Sequence, residues 1–273
     1  MCGIIGVVGS QDVTQQVFDG LKRLEYRGYD SAGIATLQNG KLDRRRAEGK
    51  LKQLGEVLAA MPIHGTIGIG HTRWATHGPA VTANAHPHST QRVAVVHNGI
   101  IENYKTLKDQ LIQNGANFTS QTDTEVIAHL FTHYLEAGER LHEAAQKTFS
   151  SLEGAYAIGL IIDGEEGQMI FARHGSPLAI GHGDGAMYLC SDAFALAPFT
   201  NKVTYLMDGD WGVLSLDGVK IFDASGTPVQ RRMETVDAVS GMVDKGNYRH
   251  FMLKEIHEQP EVLSRTFGQY VEP

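Results

Sequence analysis

An α+β fold built on antiparallel sheets is predicted by three features of the chain. Apolar runs of strand length follow one another closely between residues 155 and 222, with few helical crossovers between them. Helical spacing of apolar residues is confined to a few blocks, and Asp217-Gly218 separates two strand-like runs in the manner of a type I′ hairpin.

Taken in order, residues 4–8 form a short apolar run bounded by glycines, a buried strand. Val13, Val17, Leu21 and Leu24 predict an amphipathic helix from Asp12 to about Leu24. Arg27-Gly28-Tyr29-Asp30 reads as a turn and residues 32–37 as a strand. Leu51, Leu54, Leu58 and Met61 predict a second helix, stopped by Pro62. Strands at 66–70 and 93–96 flank the 22 residues from His71 to Arg92, a stretch with little periodicity and of a length more often functional than structural. Helices follow at about 104–113, 123–136 and 141–152; Thr122 and Glu125 have capping-box spacing at the second. Strands at 155–162, 169–173, 178–181, 187–191 and 203–206 precede the hairpin of 211–216 and 219–222. After about Thr235 the texture turns polar. Residues 1–240 are expected to form one domain and 241–273 a linker toward something further.

Composition narrows the class. The 273 residues are 42% hydrophobic and 20% charged, with a net charge of −7, which argues against bulk nucleic-acid or anionic-membrane binding. Two cysteines exclude a disulfide framework and a four-thiolate zinc site, and fit a reducing compartment. The longest apolar stretch falls far below the ~20 residues of a membrane span. The N-terminus lacks the basic region of a signal peptide, so a cytoplasmic location is expected.

Cys2 is the most informative residue because of its position. Removal of Met1 would give it both a thiol and a free α-amine. Their ordinary pKa values, about 8.5 and 7.7–8.0, make proton transfer between them cost only about 1 kcal/mol. The amine is then a credible base for the thiol. With Met1 attached the nitrogen is an amide and cannot serve. Taken alone, a small second residue is common and does not establish catalysis.

Other pieces gain meaning only together. In His71-Thr72-Arg73-Trp74-Ala75-Thr76-His77-Gly78, Arg73 offers a planar fork for a carboxylate, and Trp74 can cover a small polar ligand. A surface Arg beside a core Trp is the plainer reading. Asn98-Gly99 after a Val-rich strand is either a hairpin turn or a pair of donors for an oxyanion. Asp123, placed in the first turn of a helix, would complete a clamp in which Arg73 takes an α-carboxylate and Asp123 an α-ammonium. Five of the 13 histidines lie between His71 and His97, and His86/His88 and His129/His133 are the best metal candidates; no third ligand is pinned by spacing, so no metal or other cofactor is expected. No phosphate-binding glycine loop is complete. Arg44-Arg45-Arg46 reads as a solvated strand face and Cys190 as a core thiol.

The segments Met1-Cys2-Gly3-Ile4, Leu24 through Gly33 (Leu-Glu-Tyr-Arg-Gly-Tyr-Asp-Ser-Ala-Gly), His71 through Gly78, Val96-His97-Asn98-Gly99-Ile100 and Thr122-Asp123-Thr124-Glu125 resemble, in order, those of the class II glutamine amidotransferases. The Tyr-Arg-Gly-Tyr-Asp-Ser and Arg-Trp-Ala-Thr-His forms, with the tail Tyr248 through Pro260, are similar to the branch that aminates a sugar phosphate. The resemblance implies an N-terminal-nucleophile hydrolase fold, two stacked antiparallel sheets between helical layers (αββα). It implies hydrolysis of L-glutamine through Cys2, with Asn98 and Gly99 at the oxyanion and Arg73, Trp74, Thr76, His77 and Asp123 around the amino acid. Arg27 and Tyr29 would shape the surroundings of Cys2. The implied partners are L-glutamine and a sugar-phosphate isomerase domain in a homo-oligomeric full-length enzyme, with neither nucleic acid nor membrane. A glutaminase domain of another class II amidotransferase, and a module that binds glutamine without turnover, are the rival readings.

Overall fold

The computed structural model describes residues 2–236, 248 and 251–270. The first half runs β1 (Gly3–Gly9), α1 (Thr14–Leu24), β2 (Ser31–Gln38), β3 (Lys41–Glu48), α2 (Leu51–Ala60), β4 (Ile67–Arg73), β5 (His88–Ser89) and β6 (Val93–Ile101). Three helices follow, α3 (Tyr104–Gln113), α4 (Glu125–Glu136) and α5 (Leu141–Ser150). Then come β7 (Gly154–Ile162), β8 (Gln168–His174), β9 (Ala179–His182), β10 (Ala186–Cys190), β11 (Lys202–Tyr205), β12 (Trp211–Ser215), β13 (Gly218–Phe222), β14 (Pro228–Val229) and β15 (Met233–Thr235). A last helix, α6 (Phe251–Tyr270), occupies most of what reads as linker in the sequence. The expected boundary at Ser240 lies outside the described residues.

Two sheets result. One has eight strands in the order β15-β11-β9-β10-β1-β4-β2-β3, the other seven in the order β14-β13-β12-β8-β7-β6-β5. Every paired strand is antiparallel, as the closely spaced strands predict.

The two-residue period of a strand sorts its side chains between layers. On β1, Ile4 and Val8 enter the core between the sheets, while Ile5 and Val7 pack beneath α1 and α2 with Val17, Leu21 and Leu54. On β6, Ala94 and Val96 face the other sheet, and Val93 and Val95 face α3–α5 with Phe131 and Leu111. Three apolar layers thus separate four layers of secondary structure, αββα. Each fully buried Leu or Ile contributes about 1.5–3 kcal/mol.

One tight turn goes unread in the sequence, and two local expectations are corrected. Asn39-Gly40, with φ of 51° and 72°, makes the tight turn from β2 to β3 with both residues left-handed. At Asp217-Gly218 only Gly218 has positive φ, and Ser215 pairs with Gly218, so the loop is Leu216-Asp217 and not a type I′ turn on Asp217-Gly218. Arg44 and Arg46 are no solvated face: Arg44 Nη1 donates to Pro87 O at 2.9 Å, and Arg46 Nη1 to Ala85 O at 2.8 Å. These guanidinium groups satisfy carbonyls of the aperiodic 74–92 segment, which has few backbone partners of its own.

Candidate active site

Cys2 stands at the head of β1, in the middle of the eight-stranded sheet, with Gly3 paired to Thr72 of β4. The Trp74 N–H donates to Cys2 Sγ at 3.1 Å. Asn98, from β6 of the other sheet, donates from Nδ2 to Cys2 O at 2.9 Å. The nucleophile candidate and the oxyanion candidate therefore meet at one end of the sheet sandwich. Burial pushes the Cys2 thiol above its ordinary range, opposed by the Trp74 N–H and by the charge of Arg73.

The Asn98-Gly99 pair is not a turn. Both residues lie within β6, Asn98 opposite Ala157 and Gly99 opposite Tyr156 of β7. Glycine is required at 99 for two reasons: φ is 130°, and a Cβ would fall 1.9 Å from Ala155 O. The strand that reads as ending at Val96 continues because β7 continues beside it. In the same way β4 runs through His71-Thr72-Arg73, since β1 and β2 pair with these residues.

Arg73 is buried, and its guanidinium grips the next loop, donating to Gly78 O and Pro79 O at 3.1 Å and to His77 O. Asp30 Oδ2 accepts the Ala75 N–H at 2.8 Å, which ties the same loop to the start of β2. Gly28 lets the chain pass close beneath, since a Cβ there would lie 2.6 Å from Arg73 C. The Trp74 ring is 45% exposed and meets Tyr29 edge-on at 5.6 Å.

Asp123 lies before α4, which begins at Glu125, so a position in the first helical turn is not what holds it. Its Oδ2 instead accepts the Ile101 N–H at 2.8 Å. The capping-box expectation fails as well. Glu125 accepts from Thr119 N at 2.9 Å and from Ser120 N at 2.6 Å, while Thr122 Oγ1 bonds His88 Nε2 at 3.0 Å. Desolvation raises the Glu125 carboxyl, but hydrogen bonds from His129, Ser120 and Thr119 outweigh it and hold the group well below the usual carboxylate range.

A cavity of about 440 Å³ is lined by Cys2, Arg73, Trp74, Asn98, Gly99 and Asp123, joined by Arg27, Thr76 and His77. Its size lies in the range of small-molecule sites. Tyr29 is the one candidate that does not line it. Sequence reasoning misses Thr122, Thr124, Ser176, Pro177 and the buried His86 and His97 in its wall. It also misses Asp192, which fixes Arg27 by accepting from Nη2 at 2.8 Å, with Tyr26 hydroxyl accepting from Arg27 Nε at 3.0 Å. Among the described residues no group of three or more His, Cys, Asp or Glu is arranged to hold a metal ion, and no helix is long and apolar enough to cross a membrane.

A family profile described as a glutamine amidotransferase domain matches residues 71–198. The chain is 57% identical over 272 residues to a glutamine–fructose-6-phosphate aminotransferase (isomerizing) of Mesorhizobium japonicum, covering 100% of this chain and 45% of the relative. The protein of that name from Zymomonas mobilis is 54% identical, again over 100% of this chain and 45% of its own length. The chain belongs to the class II glutamine amidotransferases.

Solved structures agree with that placement. The glutamine phosphoribosylpyrophosphate amidotransferase of B. subtilis superposes with a TM-score of 0.71 at 28% identity, covering 83% of this chain and 50% of that one. A structure described as the allosteric regulatory enzyme of purine biosynthesis gives 0.71 at 30% identity, over 82% and 49%. The fold of this amidotransferase chain is thus the N-terminal-nucleophile hydrolase fold, two antiparallel sheets between helices. The chain spans less than half the length of the curated relatives it matches.

Proposed function

We propose that this chain hydrolyses L-glutamine to L-glutamate and ammonia through a γ-glutamyl thioester on Cys2. One observation carries the reading: a thiol, a pair of oxyanion donors and an Arg/Asp pair line a single cavity although they come from both sheets and from residues 2 to 123.

With Met1 removed, the Cys2 α-amine takes the thiol proton, and the sulfur attacks the side-chain carbonyl carbon of glutamine. A local base is needed here because burial raises the thiol. The carbonyl oxygen becomes an oxyanion facing Asn98 Nδ2 and the Gly99 N–H, donors of a type worth about 3–4 kcal/mol in the transition state. Collapse breaks the C–N bond; the protonated amine returns its proton to the leaving nitrogen, and ammonia departs. Water, deprotonated by the same amine, then attacks the thioester carbonyl, and the C–S bond breaks to give glutamate and the free thiol.

Arg73 would hold the α-carboxylate and Asp123 the α-ammonium with the carboxylate oxygen not committed to Ile101. Thr76 and His77 lie on the loop gripped by Arg73, and Trp74 would cover the bound amino acid. Arg27, clamped by Asp192, shapes the wall beside Cys2. The fuller reading makes residues 1–240 a glutaminase domain and 241–273 a connection to a sugar-phosphate isomerase domain. There the ammonia would aminate fructose 6-phosphate toward glucosamine 6-phosphate, in a cytoplasmic homo-oligomer. The 57% identity to an enzyme named for that reaction supports it.

Ammonia and glutamate release by the chain supplied with glutamine tests the reading, with Cys2→Ala as control. Turnover that vanishes in Cys2→Ala is expected. Binding without turnover, or turnover that survives Cys2→Ala, contradicts it.

A further inference from the structure

We infer that His71 is a positioning residue for the amide of Asn98, an inference that rests on the proposed role of Asn98 as an oxyanion donor. His71 follows Ile67 and Ile69 at two-residue spacing on β4, so its side chain continues their row into the space between the sheets. Asn98 follows Ala94 and Val96 on β6 in the same way from the opposite side. The two polar side chains close the apolar interior at the end where Cys2 sits, with His71 Nε2 3.0 Å from Asn98 Oδ1.

An asparagine amide has two orientations, and only one presents NH₂ toward a developing oxyanion. Here both ends are fixed. Cys2 O takes one proton of Nδ2 at 2.9 Å, and Nε2–H of His71 meets Oδ1. The flipped amide would set Oδ1 against the Cys2 carbonyl and Nδ2 against a donor. With one Nδ2 proton on Cys2 O, the second remains for the substrate.

The arrangement requires the Nε2–H tautomer of a neutral ring. Three observations agree with it. His71 is fully buried, against the ring of His86 at 4.1 Å. Among the described residues its Nδ1 has no hydrogen-bond partner, which suits a nitrogen that carries no proton. Burial, with the neighbouring His97 ring and the charge of Arg73, pushes the ring down to about 3, although hydrogen bonding to Asn98 and to the His97 backbone opposes this. The lock therefore keeps one protonation state through the working pH range.

The test is ammonia release by His71→Leu and His71→Gln, with Asn98→Ala alongside and a thermal melt for each. Gln places an amide N–H near the position of Nε2. In His71→Leu kcat falls about ten- to a hundredfold, less than the 10²–10³ expected for loss of the donor itself, while KM stays within about threefold. His71→Gln recovers most of the loss. Wild-type kcat in His71→Leu, or a Gln variant no better than Leu, overturns the inference. If His71→Leu does not fold, ¹⁵N imidazole resonances of the unaltered chain decide. The Nε2–H tautomer with no titration from about pH 5 to 9 is expected; an Nδ1–H tautomer, or protonation near the ordinary value of about 6.5, refutes it. A slow Asn98→Ala beside a normal His71→Leu sinks this inference alone. Absence of turnover in the unaltered chain sinks the proposed function instead, and the imidazole resonances then still decide whether His71 donates to Asn98.

Discussion

Replacing Gly99 with Ala should damage activity and stability together. With φ at 130°, an L side chain there carries about 1–3 kcal/mol of backbone strain. Its Cβ would also stand 1.9 Å from Ala155 O, against backbone rather than a flexible side chain, so β6 must move away from β7. Overpacking of this kind costs a further ~1–3 kcal/mol. The sum, about 2–6 kcal/mol, lowers Tm by roughly 5–20 °C for a chain of this size. Displacing the 99 N–H by about 1 Å at the proposed oxyanion site should cost roughly 10²-fold in kcat. Gly138→Ala is the control: its φ is 88°, yet among the described residues nothing lies within 4 Å of the added Cβ, so it carries strain without collision. Differential scanning calorimetry and glutamine turnover read the two effects. A Gly99→Ala protein whose Tm matches that of Gly138→Ala and whose kcat is within about threefold of the unaltered chain would refute the reasoning.

Arg73→Lys replaces a fork that holds three carbonyls by a single ammonium, and should raise KM for glutamine at least about tenfold with a smaller fall in kcat, measured by steady-state kinetics. The pH profile of kcat/KM should rise through the amine range of about 7.7–8.0 and show no inflection from His71 or His88, whose rings burial holds near about 3. Asp12, despite some desolvation, is held at about 2 by His64, Thr14 and Gly65. A depressed folded value means its contribution is present above the unfolded pKa of about 3.9 and is lost as pH falls toward 2. Asp12→Ala should therefore weaken the fold near neutrality and lessen its acid sensitivity over that window, with the effect muted by salt because the pair is exposed; urea titrations at several pH values check it.

What the sequence reveals is the regular part. Alternation and helical spacing locate most elements because one face of each packs on a core. Strand ends are read short wherever function has put polar residues on a buried strand. His71-Thr72-Arg73 and His97-Asn98-Gly99 look like loops by hydropathy, yet pairing with β1, β2 and β7 keeps them extended. Asn-Gly is a turn at 39–40 and a strand at 98–99, and only the partner strand decides which. The cavity residues from Cys2 to Asp123 are legible through a resemblance of ordered segments, whereas their supports are not. Asp192 stands 165 positions from Arg27, and Thr122 reaches His88 instead of capping α4. Such bonds depend on how distant elements pack, which no local spacing encodes.

Turnover as proposed passes through a γ-glutamyl thioester on a Cys2 that bears a free α-amine. Acid-quenched intact-mass and peptide-mass analysis of the protein during glutamine turnover tests it directly. Met1 is expected to be absent from active protein, with one γ-glutamyl group bound to Cys2. Active protein that retains Met1, or an adduct on Cys190 instead, would contradict it.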